Sequence, residues 1–140
     1  MSNQRIVFQN TDGTVAVVIP APGFTVQDCI KDVPAGAAHE IVDTTVIPTD
    51  RTFRNAWKHD PVKKVDVDMV KAKNISHDRR RTKRAAQLAP LDIEATIPSK
   101  ANAAENARQV IRDQNAAVQA EMDACTTPEQ LKAILVREAM

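Results

Sequence analysis

The chain has 140 residues, 43% of them hydrophobic and 26% charged, enough for one ordinary domain or a small domain with an appendage, and this composition excludes wholesale disorder. Its 19 Lys and Arg nearly cancel its 18 Asp and Glu, and the net charge of +1 excludes a uniformly basic nucleic-acid binder or an acidic-tail protein while leaving local patches open. The longest apolar run, Val15 to Ile19, stops at Pro20, short of the roughly 20 residues a membrane span needs. The opening residues lead into only three apolar ones, which argues against a signal peptide. Cys29 and Cys125 lie far apart with no C-x-x-C, so the expected compartment is reducing and cytosolic.

Phe8, Phe24, Phe53 and Trp57, all three glycines and four of the eight prolines fall in the first 60 residues. The rest of the chain has no aromatic residue and no glycine, and is rich in Ala and in long straight side chains that favour helix. The expected fold is therefore α+β: a small β-hairpin-containing head over residues 1–60, followed by an extended helical region over 61–140.

In the head, Arg5 to Gln9 and Thr14 to Ile19 are β-branched or aromatic runs joined by Asn10-Thr11-Asp12-Gly13, a hairpin signal. Thr25 is placed to cap a helix from Val26 to Asp32, with Val26, Cys29, Ile30 and Val33 on one face. His39 to Asp43 reads as a third strand. Thr49 or Asp50 is expected to cap a helical turn that sets Phe53 and Trp57 on one side. So small a unit buries a low fraction of its surface and is expected to lean on a neighbour.

Three helices are expected in the second half, over about 67–89, 100–124 and 128–138. The first has Asp66 or Asp68 as its cap and Pro90 as its end; Ser99 caps the second. Ala104, Ala107, Ile111, Gln114, Val118, Met122 and Cys125 recur at intervals of three and four, an alanine-rich seam. Thr127-Pro128-Glu129-Gln130 combines a capping Thr, a first-turn Pro and a Gln at the third helical position. Between Pro90 and Pro98, helix and loop are both open.

Charge is unevenly spread. Residues 61–84 carry nine basic and three acidic side chains, whereas the flanking segments are mildly acidic. The basic residues are Lys63, Lys64, Lys71, Lys73, Arg79, Arg80, Arg81, Lys83 and Arg84. On a helix Arg79, Arg80 and Arg81 point in three directions. Three readings stand: a solvated helix whose cations pair with the acidic last segment of this or a neighbouring chain, a protein-docking surface, or a nucleic-acid contact. The absence of aromatics removes base stacking from the third, leaving phosphate contacts with a steep salt dependence.

Reactive constellations are missing from the pattern. His39, His59 and His77 are scattered without metal-ligand spacing. Cys29 and Cys125 sit on apolar helix faces, as small hydrophobes do. Asp66-Val67-Asp68 lacks the further ligands of a calcium loop. No phosphate-binding glycine motif and no G-x-S-x-G occurs. No catalytic residue, cofactor or metal ligand is expected.

The string Val33-Pro34-Ala35-Gly36, then Glu40-Ile41-Val42-Asp43, then Ile47-Pro48-Thr49-Asp50-Arg51-Thr52-Phe53-Arg54-Asn55-Ala56-Trp57 resembles a group of small structural-module proteins of tailed bacteriophages and prophages. The resemblance continues through Val67 to Lys73 and His77-Asp78-Arg79 to Thr127-Pro128-Glu129-Gln130-Leu131-Lys132, and D-R-T-F-R-x-A-W is its most specific part. It implies a non-enzymatic virion component, often tail-associated, whose partners are other virion proteins or copies of itself, without a membrane. A tail-fibre assembly chaperone, and a nucleic-acid or host-protein binder acting through residues 71–84, are the alternatives. The candidate partner-binding residues are Arg51, Phe53, Arg54 and Trp57, because Trp and Arg anchor many interfaces, together with Lys71, Lys73, Arg79, Arg80, Lys83 and Arg84 of the basic segment.

Overall fold

In the computed structural model, which describes residues 3–140, the chain is α+β and divides at Asp68/Met69 into a β-rich unit and a helical unit. Strand β1, Gln4–Gln9, is the centre of a three-stranded antiparallel sheet, flanked by β2, Val15–Val18, and β3, His39–Asp43. Successive side chains of a strand point to opposite faces. Ile6 and Phe8 therefore go one way and Val7 the other, and all three are buried because both faces are covered.

Helix α1, Val26–Cys29, covers the Ile6 and Phe8 face, with Val26 buried and Cys29 and Val33 packed around it. On the other face Val7, Val15 and Val42 join Trp57 and Val65 of a second hairpin, β4 (Trp57–Asp60) paired with β5 (Lys64–Val67). The unit is thus layered: helix, three-stranded sheet, two-stranded hairpin.

The first hairpin forms where the sequence places it, in the register Ile6↔Val18 to Gln9↔Val15. Gly13 takes a φ of 84°, which a side chain would disfavour, and the Asp12 carboxylate accepts from the Thr14 amide at 3.0 Å. Thr25 caps α1 reciprocally: its hydroxyl accepts from the Asp28 amide, and its own amide donates to the Asp28 carboxylate at 2.8 Å. The bond from the Thr25 amide, and then one from its hydroxyl at 3.1 Å, hold the Asp28 carboxyl below its ordinary pKa. The helix is shorter than expected. After Cys29 it tightens into a 3-10 turn over Ile30–Asp32, and three residues per turn swing Ile30 off the apolar face, leaving it 38% exposed.

Three expectations for the end of this unit need correction. Phe53 and Trp57 do not share a helix: only Arg54–Ala56 form a 3-10 turn, and Trp57 opens β4 in extended conformation. Packing against the valines of the sheet outweighs the local helical spacing. The unit also runs to Asp68 rather than residue 60, because Asp60 turns the chain by accepting from the amides of Val62 and Lys63 at 2.8 and 2.7 Å. Asp66 lies inside β5 instead of capping a helix.

The second unit contains α2 (Met69–Glu94), α3 (Ala101–Ala124) and α4 (Pro128–Arg137). At about 1.5 Å per residue, the 26 residues of α2 span about 39 Å. Helices α2 and α3 run antiparallel, Arg80 facing Asn115 and Asp92 facing Arg108. Pro90 does not end α2, which continues to Glu94. Proline removes one amide, and the carbonyl it orphans belongs to Ala86, which is exposed, so the lost bond does not fall in a buried site. Beyond it Leu91 and Glu94 are partly buried, and Asp92 forms an ion pair with Arg108 at 3.1 Å.

Helix α3 starts at Ala101 with Lys100 at the cap position and no side-chain cap bond, so Ser99 does not cap it. Its buried positions, Ala104, Val118 and Met122, and Cys125 after it, keep the expected seam, but partly buried Asn115 takes the place expected for Gln114, which is exposed. Helix α4 begins as its sequence dictates: Thr127 and Gln130 form a reciprocal capping box, and Leu131, Ile134 and Leu135 are buried. No helix among the described residues is long and apolar enough to cross a membrane.

Candidate functional site

The segment from Asp43 to Trp57 is held by short-range hydrogen bonds. Asp43 accepts from the Thr45 amide at 2.9 Å and starts a 3-10 turn over Thr44–Val46. Asp50 accepts from the Thr52 amide at 3.0 Å and from its hydroxyl at 2.6 Å. The Arg54 amide then donates to the Arg51 carbonyl at 3.1 Å, and that of Ala56 to the Phe53 carbonyl at 2.9 Å. This chain of turns buries Phe53, Ala56 and Trp57 and leaves the two arginines outside.

Trp57 is only 2% exposed. The Arg54 guanidinium lies over its ring, 4.5 Å from the centroid, a cation–π contact that fixes the arginine in place. Burial, and beside it the positive charge of Arg51, holds the Arg54 pKa below the ordinary arginine value. Phe53 and Trp57 are thus core residues, and the surface they support is made by Arg51 and Arg54.

Beside this pair opens a groove of about 270 Å³. Val17, Ile19, Ile47, Pro48 and Trp57 supply its apolar lining, and Arg5, Arg51 and Arg54 its cations. Arg5 reaches the groove through strand register, opposite Val42 of β3; no local signal in the sequence marks it. Ile19, 66% exposed, also borders a wider hollow of about 560 Å³ beside Phe24, itself 60% exposed. That hollow carries mixed charge, with Asp28, Lys31 and Asp32 on its walls.

The basic segment is used differently from its appearance in sequence. Arg80 is 3% exposed; its Nε donates to His77 Nδ1 at 3.2 Å and its Nη1 to Asn115 Oδ1 at 2.9 Å. Burial, then the charges of Arg81 and Arg84, lower its pKa, with Asp123 opposing. Arg80 has only protons to give, so His77 Nδ1 is the acceptor and its proton sits on Nε2, 2.8 Å from Asp123 Oδ1. Lys73 donates to the Asp123 carbonyl at 2.9 Å, and Lys83 to the Glu138 carbonyl at 2.7 Å. Lys73 and Lys83 therefore pair with the acidic last segment of the same chain. Arg79 is exposed, Lys71 and Arg84 are half-buried, and Arg81 pairs with Asp78 at 3.0 Å. Lys71, Lys73, Arg79, Arg80, Lys83 and Arg84 do not converge on one outward face.

His59 and Cys125 are tied into structural contacts, whereas His39 is exposed. His59 Nε2 lies 2.8 Å from one oxygen of Glu40, and Lys64 donates to the other at 2.5 Å, joining β3 to the β4–β5 hairpin. The bonds from Lys64 and then His59 hold the Glu40 carboxyl below its ordinary pKa. Cys125 is buried, its Sγ donating to the Glu121 carbonyl at 3.3 Å, and burial pushes its thiol pKa up. Among the described residues no group of three or more His, Cys, Asp or Glu is placed to hold a metal ion. Compared with protein-family models, with curated proteins and with solved structures, the chain has no match in any of the three.

Proposed function

We propose that this chain is a non-enzymatic structural or adaptor component of a tailed-phage virion, associated with the tail, which works by docking onto other virion proteins or onto copies of itself. The observation that carries this reading is the groove on the first unit, where Arg51 and Arg54 edge an aliphatic floor held by the Trp57 hairpin. Apolar floor with an arginine rim is the composition of a protein-binding hot spot. His59, His77 and the buried Cys125, by contrast, serve contacts inside their own units. The resemblance of the D-R-T-F-R-x-A-W run to phage structural modules adds the setting.

The nucleic-acid alternative through residues 71–84 loses support from the placement of Lys73, Arg80 and Lys83, whose donors are engaged within the helical unit. Quantitative mass spectrometry of purified particles tests the proposal. Stoichiometric copies in the particle are expected. A protein confined to the host cytoplasm points instead to an assembly chaperone, and absence from both particles and assembly intermediates overturns the reading.

A further inference from the structure

The chemistry of the Trp57 groove narrows what it takes. Three arginines line it, and none of its ten lining residues is acidic. Arg51 and Arg54 repel each other, and an anion placed between them relieves that repulsion. The floor beneath them, Val17, Ile19, Ile47 and Pro48, is aliphatic. At about 270 Å³ the groove falls just below the roughly 300–1,000 Å³ of small-molecule pockets, which suits one or two side chains and not a whole cofactor.

Resting on the docking function proposed above, we infer that this groove binds an acidic peptide segment of another protein, seating one aliphatic side chain on the floor and a neighbouring Asp or Glu carboxylate on Arg51 and Arg54. The planar guanidinium fork matches a carboxylate with two parallel hydrogen bonds. Arg54 is already stacked on Trp57, so less side-chain freedom is lost on binding than for a free arginine. A single-stranded nucleic acid also carries anions, but it gains affinity by stacking bases on open aromatic faces. Trp57 is the one aromatic side chain in the lining; it is buried and covered by Arg54, so the peptide is favoured.

The test is selection of a displayed library of random peptides, about a dozen residues long, on the immobilised full chain. A synthetic copy of an enriched peptide is then titrated against Trp57 fluorescence, which is unambiguous because the chain has one Trp and no Tyr. Enriched sequences should combine Asp or Glu with Leu, Ile or Val, and binding should weaken as sodium chloride rises. Arg51→Glu, at an exposed position with its fold checked by thermal melting, should weaken binding at least tenfold, and Arg51→Gln by less. Arg81→Gln, on α2, should bind as the wild type does. Enrichment of neutral or basic sequences, or tighter binding of single-stranded DNA or inorganic phosphate than of the peptide, overturns the inference. Acidic peptides that bind Arg51→Glu unchanged also overturn it, while leaving the docking function itself standing, since particle composition decides that separately.

Discussion

Trp57→Ala should cripple the first unit. The ring is 2% exposed and belongs to one cluster with Val7, Val15, Val42 and Val65, so the substitution opens a cavity among side chains from four other strands. Truncating a buried aromatic to Ala costs about 3–5 kcal/mol. Loss of the Arg54 stack adds about 0.5–1 kcal/mol. A unit ending at Asp68 has, at about 0.05–0.15 kcal/mol per residue, about 3–10 kcal/mol in total, so the loss removes much or all of it. Since the variant lacks the only tryptophan, the assay is amide NMR with urea titration, following residues 3–68. Their dispersed resonances should collapse, or their unfolding midpoint fall steeply; Trp57→Phe, which keeps a ring in the cluster, should lose clearly less. An unchanged midpoint for Trp57→Ala would refute the reasoning and place the ring outside the core.

The other predictions concern polar contacts and the helices. Glu40 has a folded pKa below its ordinary value of 4.5, so its contribution is complete above that value and disappears as pH falls through the folded one. The stability difference between wild type and Glu40→Gln should therefore shrink below about pH 5; a difference independent of pH down to acid unfolding would contradict this. Asn115→Ala strands one buried N–H of Arg80 and should cost about 1–3 kcal/mol in urea unfolding followed by helical circular dichroism. Pro90→Ala restores an amide to the Ala86 carbonyl and should stabilise α2 by about 1–3 kcal/mol; a lower urea midpoint would show that the proline serves the fold.

What could be read from the sequence was what local chemistry decides. The Asp12-Gly13 turn and the caps at Thr25 and Thr127 each depend on residues within a few positions, and each forms as expected. The β4–β5 hairpin escaped because Trp57-Lys58-His59-Asp60 is polar apart from one ring, and its strand conformation is secured by Val7 and Val15, far away in the chain. The charge map anticipated pairing with the acidic last segment, as Lys83 shows with Glu138, but not the burial of Arg80. Arg80 reads as a solvated cation, yet its acceptor Asn115 and the Asp123 behind His77 arrive on a second helix. The α3 seam shifted from Gln114 to Asn115, a step of one residue that only the partner helix selects. In the candidate site, Arg51, Arg54 and Trp57 stood out as a motif. Arg5 and Val17 joined them only through the register of the three-stranded sheet.

The central claim, that the chain works by seating another protein beside Trp57, is tested most directly inside the particle. A photo-reactive benzoylphenylalanine at Thr49, an exposed residue lining the groove, should cross-link to a second virion protein on irradiation of purified particles. The attachment should map to an acidic, aliphatic segment of that protein. Cross-links to packaged DNA, or none to any virion protein from particles that contain the chain, would contradict the account.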